Sequence, residues 1–339
     1  MTRRVFGEHA PVLVLSAILL LLGLLSLGIG RYMIDPRTVF HVLIQHLMDL
    51  PSVGSPTEQA IVLNIRPPRI FAAIVVGAAL SASGAAYQTM FRNPLVSPEI
   101  LGVAAGAGFG ASIGILLGVG VGLLEILSFG CGLLAALLAL AIGRLVGNGS
   151  LSILVLGGIV IGAMFGALIA ATQYFANPET TLPEITFWLF GSLGRATFAS
   201  LQVPALIVAL CLAALYAVRW PLTVLAAGDD EARTMGINLG LTWSVVIAAS
   251  TLMTATVVSL AGIIGWVGLV VPHLARFIVG PSFTRLLPAS ILIGAIYLLA
   301  VDDVARSASP LDLPLGILTA LVGAPFFILL LMKLGRRWS

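Results

Sequence analysis

The segment AAGDDEARTMGIN, residues 226–238, is a crowded polar group in a sequence that is otherwise largely apolar. Four of the five residues from Asp229 to Arg233 are charged. Apolar runs flank the segment, from about residue 201 to 218 and from about 241 to 264. Each run is about as long as a bilayer-spanning helix, so we expect the segment to lie in water between two membrane spans.

The residues of this segment favour a short helix. Gly228 and Gly236 bracket it, and most of the residues between them are good helix formers. Its acidic residues come first, where the helix dipole favours negative charge. The pattern predicts a surface helix that is held against the membrane and offered to a soluble partner. The alternative is a solvated loop that only separates two spans.

The composition is that of an all-α, polytopic membrane protein. Of the 339 residues, 59% are hydrophobic and 9% are charged, and the mean hydropathy is +1.12. At about 20 residues per span, this predicts a single membrane domain over the whole chain, without a folded soluble domain. Long unbroken apolar runs exclude a β-barrel, in which lipid-facing and lumen-facing residues alternate.

Apolar length and the positions of Gly, Pro and charged residues together predict ten spans. Their limits are about 11–31, 68–90, 97–118, 121–143, 152–175, 199–219, 240–263, 266–279, 285–305 and 314–333. Residues from about 179 to 193 are predicted to form a short helix on the outer, periplasmic side. Residues from about 220 to 238 are predicted to form a cytoplasmic loop.

Charge distribution orients the chain in the membrane. With the N-terminus in the cytoplasm, eleven basic residues fall inside and six outside, which follows the positive-inside rule. The outer six are Arg31, Arg37, Arg66, Arg69, Arg195 and Arg306, and the inner set includes Lys333, Arg336 and Arg337. Both termini and the segment 226–238 are therefore expected in the cytoplasm.

The sequence argues against several kinds of chemistry. Lys333 is the only lysine, so no GxxxxGK[ST] phosphate loop exists and the chain is not its own ATPase. Cys131 and Cys211 lie inside apolar runs and indicate neither a disulfide nor a metal site. No catalytic residues, cofactor or nucleic-acid partner are predicted. Ionisable groups cluster at span ends, which weakens the case for an ion-coupled secondary transporter.

Isolated histidines and spaced glycines suggest structural roles. His273 has no partner at metal-ligand spacing, which is more typical of a hydrogen-bonding residue than of a metal ligand. His41 and His46 lie five residues apart in the outer segment and are candidates to touch an incoming haem from one helix face. Glycines recur at every fourth position, which predicts close helix packing, at 102, 106, 110, 114, 118 and 122 and again at 158, 162 and 166.

Four motifs follow one another along the chain. The first joins RPPR at 66–69 to Gly84 and to NPLVSPEILG at 93–102, and the second is the segment 226–238. The third is GWVGLVVPHLAR at 265–276, and the fourth joins DDVAR at 302–306 to LPLG at 313–316 and GAPFF at 323–327. As an ordered set they resemble the FecCD-like family, the permeases of ATP-binding-cassette (ABC) importers for iron siderophores, haem and cobalamin.

This resemblance implies a type II ABC importer permease with ten transmembrane helices. The permease would work as a homodimer in the bacterial inner membrane, with the translocation path along the dimer axis. Two ABC ATPase subunits would bind on the cytoplasmic side, and a periplasmic or lipid-anchored substrate-binding protein would bind on the other.

The resemblance also implies roles for residues near the cytoplasm. It makes one set the coupling helix that sits in a cleft of the ATPase, namely Gly228, Asp229, Asp230, Glu231, Ala232, Arg233 and Gly236. It makes a second set the cytoplasmic gate, namely Asn93, Leu95, Leu151 and Ser152. Leu151 departs from the small polar residue familiar at its position. Asn93 precedes Pro94, where it also suits a simple turn.

On the outer side, the resemblance makes Arg66, Arg69 and Arg306 the residues that pair with acidic groups of the binding protein. Arginine offers a rigid fork to carboxylates, which suits this role. Two alternatives remain at this point. The arginines can snorkel to lipid head groups, or Asp302 and Asp303 can hold Arg306 in an internal pair.

These features predict the permease subunit of an ATP-driven, binding-protein-dependent importer whose cargo is an iron chelate, either a ferric siderophore or haem. ATP hydrolysis is expected on a separate partner. The alternatives are a cobalamin importer permease and an ion-coupled secondary transporter.

Overall fold

The computed structural model describes residues 2–48, 55–146, 151–309 and 312–335. Arg336 and Arg337, counted above in the charge asymmetry, lie outside the described residues. Within the described ranges the regular elements are all helical, as predicted. The α-helices are α1 (Thr2–Ser26), α2 (Pro36–Met48), α3 (Pro56–Ala60), α4 (Arg66–Met90), α5 (Val103–Leu116), α6 (Val121–Leu145), α7 (Leu151–Phe175), α8 (Thr181–Leu189), α9 (Phe198–Ala217), α10 (Arg219–Leu225), α11 (Asp229–Thr234), α12 (Leu239–Ala261), α13 (Val267–Val279), α14 (Phe283–Ala305) and α15 (Leu315–Gly335).

The apolar helices coincide with the predicted spans. Within the described ranges, six helices are long and apolar enough to cross a membrane, and four shorter apolar helices accompany them. The six are α4 with its N-terminal extension, α6, α7, α9, α12 and α14, and the shorter ones belong to α1, α5, α13 and α15. This set is consistent with ten spans.

Helix α4 lies at the centre of the packing. Every residue from Val75 to Met90 is buried, because α12, α13 and α14 cover it. Two glycine pairs allow this close approach. A Cβ atom on Gly77 would lie 2.2 Å from the Gly294 carbonyl oxygen of α14, and one on Gly84 would lie 1.9 Å from the Gly268 carbonyl oxygen of α13. Only glycine lets the backbones meet at such distances.

The glycine repeat at 102–122 serves packing over part of its length. A Cβ atom on Gly106 would lie 2.5 Å from the Cys131 carbonyl oxygen of α6, and one on Gly110 would lie 2.2 Å from that of Leu127. No heavy atom lies within 4 Å of the Cβ position of Gly118, Gly122 or Gly166. The predicted close packing is therefore confirmed at Gly106 and Gly110 and wrong for these three, because Gly118 lies in the turn between α5 and α6 and no described neighbour packs against Gly122 or Gly166.

The structure differs from the sequence prediction between the first two spans. Helix α1 ends at Ser26 rather than near 31, and α2 and α3 follow it. Asp35 starts α2, since its Oδ1 accepts a hydrogen bond of 2.8 Å from the Arg37 amide. Ser55 and Glu58 form a capping box at the start of α3, which continues through a π-helical turn, Ile61–Ile65, into α4. Helix α2, with 13 residues, is too short to cross a membrane, whereas α3 and the π-helical turn are part of the continuous helix Pro56–Met90.

Two further predicted segments take a different form. The third span begins with a 3-10 turn, Pro98–Leu101, and α5 starts only after Gly102, whose φ of 75° breaks the helix. The predicted loop 220–238 contains two short helices, α10 and α11. The predicted helix at 179–193 is present as α8.

Helix α4 runs between two polar ends of the molecule. Its 25 residues correspond to a length of about 37 Å. Arg66 and Arg69 lie in its first turn, and Arg92 and Asn93 follow its last. We call the end with Arg66 and Arg69 the arginine end. We call the end with Arg92 and Asn93 the segment end, because Arg92 there pairs with Asp229 of the segment 226–238.

Candidate functional site

The segment 226–238 folds as a short, capped surface helix, α11. Its N-cap is Gly228, and a Cβ atom there would lie 1.9 Å from a carboxylate oxygen of Glu231, which folds back over the N-terminus. At the other end Gly236 has a φ of 76°, and the Ile237 amide donates to the Ala232 carbonyl over 3.0 Å. This is the geometry of a left-handed helix cap. The predicted surface helix is confirmed, and the loop alternative is wrong for residues 229–234.

The side chains of α11 divide into an inner and an outer set. Ala232 is fully buried against the membrane domain, whereas Asp230, Glu231 and Arg233 are exposed. The exposed set presents both signs of charge on one short helix. This arrangement suits contact with a soluble protein, because the helix is anchored by one apolar residue and its charges stay hydrated.

An ion pair joins α11 to the end of α4. Arg92 Nη2 lies 3.1 Å from Asp229 Oδ1, and both side chains are partly exposed. Arg92 has a φ of 50°, a left-handed conformation that is uncommon for a residue other than glycine. The next residue, Asn93, accepts a hydrogen bond of 2.9 Å from the Leu95 amide through its side chain. The structure therefore links α11 to the turn that carries two of the predicted gate residues.

The four predicted gate residues lie in two places. Asn93 and Leu95 are exposed in the turn after α4. Leu151 and Ser152 begin α7, where Ser152 is exposed and Leu151 lines a cavity of about 180 Å³ with residues of α6 and α12. Asn93 also has the turn geometry of the alternative interpretation. The gating role of all four stays a prediction.

At the arginine end, Arg69 is held by two carboxylates. Its Nε lies 2.9 Å from Asp302 Oδ1, and its Nη2 lies 2.8 Å from the same oxygen. On its other side, Nη1 lies 2.5 Å from Asp312 in the loop before α15. Asp302 is fully buried, whereas the Asp312 side chain is 43% exposed. One partner is therefore internal, and the other faces outward.

Arg66 and Arg306 are more deeply buried, each only 5% exposed. Arg66 donates to the carbonyl oxygens of Leu27 and Tyr32 in the chain that follows α1. Arg306 donates to the Ser26 carbonyl oxygen over 2.9 Å and pairs with Asp303. The structure thus contains the internal pair that was one alternative for Arg306. We call the three arginines with Asp302, Asp303 and Asp312 the arginine cluster; it joins α1, α4 and α14.

The histidines do not assemble a site in the described ranges. Among these residues, no three His, Cys, Asp or Glu side chains lie close enough to hold a metal ion. His273 Nδ1 lies 2.9 Å from the Leu269 carbonyl oxygen, as expected for a structural histidine. His41 and His46 are both exposed on α2. Five residues on a helix span about 140° of rotation, so the expectation that they share one face is wrong.

The family model of the FecCD transport family matches residues 18–333 of the chain. The chain belongs to the FecCD transport family. Recognition from the four motifs is thereby confirmed.

Permease proteins of several organisms are similar to this chain. One relative, the molybdate import system permease protein MolB of Haemophilus influenzae, is 38% identical over 325 residues, which cover 95% of each chain. Another, a probable iron chelatin transport system permease protein of Helicobacter pylori, is 41% identical over 273 residues, which cover 80% of this chain and 82% of the relative. Further relatives are named as hemin and vitamin B12 import permeases.

A solved transporter structure has the same fold. It is described as an inward-facing conformation of a putative metal-chelate type ABC transporter. The match has a TM-score of 0.82 and 37% sequence identity, and it covers 95% of this chain and 98% of the solved chain. The chain is therefore a polytopic ABC importer permease of the FecCD family. This does not support the alternative of an ion-coupled secondary transporter.

The sequence did not predict three residues that contact the predicted site residues at these two ends. They are Ser26, Arg92 and Asp312, which contact Arg306, Asp229 and Arg69, respectively. For Arg92 the sequence offered only its position, directly before the motif that starts at Asn93, and nothing that indicated Asp229 as its partner. Ser26 and Asp312 have no local signal either, since their partners are far away in the sequence.

Proposed function

We propose that the chain is the transmembrane subunit of an ATP-driven, binding-protein-dependent importer of an iron chelate, either a ferric siderophore or haem. It would act as a homodimer in a bacterial inner membrane, with two ATPase subunits at the segment end and a binding protein at the arginine end. The observation that carries this proposal is the exposed, capped helix α11, which is tied to the end of α4. FecCD membership supports the remaining parts.

The identity of the cargo is the most specific part of the proposal. Relatives with similar identity are named for molybdate, iron chelatin, hemin and vitamin B12. The chain should be coexpressed with the ATPase and binding protein of its own genome and reconstituted into vesicles. We expect the vesicles to take up ferric chelates in an ATP-dependent manner, and faster than they take up cobalamin or molybdate. ATP-dependent uptake of molybdate without uptake of ferric chelates would overturn the iron assignment and leave the importer assignment intact.

For coupling, we propose that Gly228 to Gly236 contact the ATPase and that the pair of Arg92 and Asp229 passes their movement to the gate turn. Partly exposed ion pairs are worth about 0–1 kcal/mol. Loss of the pair should therefore change uptake per ATP hydrolysed by about two- to fivefold at most. We expect Arg92→Asp or Asp229→Arg to lower uptake per ATP hydrolysed within that range. The double charge swap should restore it.

A matched combination tests whether the restoration is specific. Asp230→Arg makes the same charge change on α11, but Asp230 does not pair with Arg92 among the described contacts. Arg92→Asp combined with Asp230→Arg should therefore stay impaired. Equal recovery in both double variants would show that only net charge matters, and the proposed link would be rejected.

For docking, we propose that Arg66, Arg69 and Arg306 form the face that receives the binding protein, with unequal shares. Arg69 would make the direct contact, because its Nη1 side is bonded to an exposed carboxylate, that of Asp312. The buried Arg66 and Arg306 would hold the face in shape. Asp312 would then occupy the position of an incoming acidic side chain.

The association rate of the binding protein tests this division. Arg69→Gln should slow association, most visibly at low ionic strength, where charge steering is strongest. Asp312→Asn should speed it, because the carboxylate that competes for Arg69 is gone. Slower association after Asp312→Asn would mean that Asp312 supports the docking face and does not compete with the partner.

A further inference from the structure

A cavity of about 480 Å³ lies at the segment end, next to α11. Its walls come from the end of α4, the end of α13 and the link between α10 and α11. The lining residues are Gln88, Thr89, Arg92, Pro94, Ala226, His273, Arg276, Phe277 and Pro281, and none of them is acidic. The two arginines give the cavity a formal positive charge.

Arg276 is half-buried and supplies one of these two charges. Its one described side-chain hydrogen bond runs from Nη1 to Gln88 Oε1 over 2.5 Å, and the acceptor is a neutral amide. Among the described ion pairs none includes Arg276. A guanidinium has five N–H donors and stays charged in proteins. Arg276 therefore brings into the cavity a positive charge and donors that protein carboxylates do not neutralise.

Gln88 fixes the position of this guanidinium. Its Nε2 donates to the carbonyl oxygens of Gly268 and Leu269, over 3.3 Å and 3.2 Å, and the residue is only 2% exposed. These bonds leave Oε1 to accept from Arg276. The arrangement is preorganised, so a ligand does not have to order the arginine when it binds.

Arg92 supplies the second cation. Only its Nη2 is used in the pair with Asp229, and its side chain is 45% exposed. The left-handed backbone at Arg92 directs the chain around this corner between α4 and the gate turn. Two arginine forks that line one cavity, one of them free of carboxylates, suit an anion with several oxygen atoms.

We propose that this cavity is a binding site for a tetrahedral oxyanion of the phosphate type, held between Arg92 and Arg276. Two sources share this chemistry. One is a free oxyanion in the aqueous phase, and the other is the phosphate of an anionic lipid. Phe277 and Ile278 follow Arg276 on α13 and are exposed apolar residues. They form a surface that the acyl chains of a lipid would cover. The site is independent of the cargo proposed above.

The first arm of the test uses the purified, full-length permease in detergent. Phosphate and molybdate are titrated against chloride at constant ionic strength, and the shift of the thermal unfolding midpoint is measured. We expect a saturable increase whose apparent affinity falls at least about tenfold in Arg276→Gln and in Arg92→Gln, the effect of losing a bond to a charged group. Arg285→Gln is the matched control, because Arg285 is an exposed arginine near Pro281 that does not line the cavity.

The second arm tests the lipid source. The same proteins are placed in nanodiscs of phosphatidylcholine, with and without phosphatidylglycerol, and retention of phosphatidylglycerol is read by mass spectrometry of the complex. A phosphatidylglycerol effect that disappears in the two cavity variants identifies a lipid phosphate. A soluble-oxyanion effect that disappears in them identifies a free anion.

Either of these results supports the site, and their joint absence rejects it. If the oxyanions and phosphatidylglycerol act equally on the wild type, Arg285→Gln and both cavity variants, the cavity does not bind them. Arg92→Gln keeps the test decisive if Arg276→Gln does not fold, because Arg92 is partly exposed. Arg276→Lys adds a milder variant that keeps the charge and loses the fork.

Discussion

At the residue scale, the arginine end shows how one side chain can have a structural and a surface role. Arg69 bonds to the fully buried Asp302 on one side and to the exposed Asp312 on the other. Removing one partner of a buried pair is costly because the other charge stays buried without a partner. An exposed pair contributes little, since water and salt screen it. The two aspartates should therefore differ sharply in their effect on stability.

This contrast is the first prediction. Asp302→Asn should destabilise the protein by about 3–5 kcal/mol, the usual loss when a buried pair is broken, because Arg69 keeps only the exposed Asp312. The buried Arg306, 3.6 Å from Asp302, loses a carboxylate too. Asp312→Asn, which changes the same chemical group on the same arginine, should stay within about 1 kcal/mol of the wild type. Chemical denaturation of the purified protein in detergent measures both. Equal losses would mean that Asp302 is not the structural partner of Arg69.

At the element scale, packing depends on where helix backbones cross. Gly84 lets α4 approach α13 so closely that an added Cβ atom would lie 1.9 Å from the Gly268 carbonyl oxygen. Gly130, in the middle of α6, has no heavy atom within 4 Å of its Cβ position. The two glycines have the same chemistry, and only the neighbouring helix distinguishes them.

Alanine at these two positions gives the second prediction. Gly84→Ala should force α4 and α13 apart and destabilise the protein by at least about 1–3 kcal/mol, as overpacking does. Gly130→Ala should be neutral or stabilising by up to about 1 kcal/mol, because alanine favours helix. Thermal unfolding of the two variants in one detergent makes the comparison. A stable Gly84→Ala variant would contradict the crossing described above.

Helix α11 gives the third prediction, which concerns its left-handed cap. Gly236→Ala places a Cβ atom in a conformation that disfavours it by about 1–2 kcal/mol, so the helix should loosen. Gly236→Asn should do less harm, because asparagine accepts this conformation at helix ends. The readout is the fraction of ATPase that copurifies with the permease. Equal losses from alanine and asparagine would indicate a need for glycine itself at the partner surface.

At the scale of the whole molecule, the two ends of α4 separate two kinds of polar surface. The arginine cluster lies at one end, and α11 with the arginine-lined cavity lies at the other. A mostly buried helix of about 37 Å connects them, which lies between the about 30 Å of the hydrocarbon core and the about 40–45 Å of a bilayer with its interfaces. A signal between the ends has to pass through α4 or through the helices packed on it.

The fourth prediction concerns the orientation of these ends. Asp230→Cys and Asp312→Cys are introduced separately, after Cys131→Ala and Cys211→Ala remove the natural thiols. A membrane-impermeant maleimide should label intact cells that carry Asp312→Cys, and should label the Asp230→Cys protein only after permeabilisation. Labelling of both from the same side would be incompatible with a membrane that separates the two ends.

Some features of this protein follow from the sequence alone, because their causes are local. Apolar runs of bilayer length predicted most helix limits to within a few residues; the span predicted at 240–263 is α12, Leu239–Ala261. The glycine brackets and charge order predicted α11 for the same reason. The four motifs were also sufficient to recognise the family.

Only the tertiary structure decided which polar groups meet and which glycines touch a neighbour. Arg69 and Asp302 are 233 positions apart, and no local pattern indicates that α4 and α14 bring them together. The same holds for Arg92 with Asp229, and for Gly84, which differs from Gly130 only in what packs against it. Helix formation depends on near neighbours in the chain, whereas pairing and close packing depend on how distant helices cross.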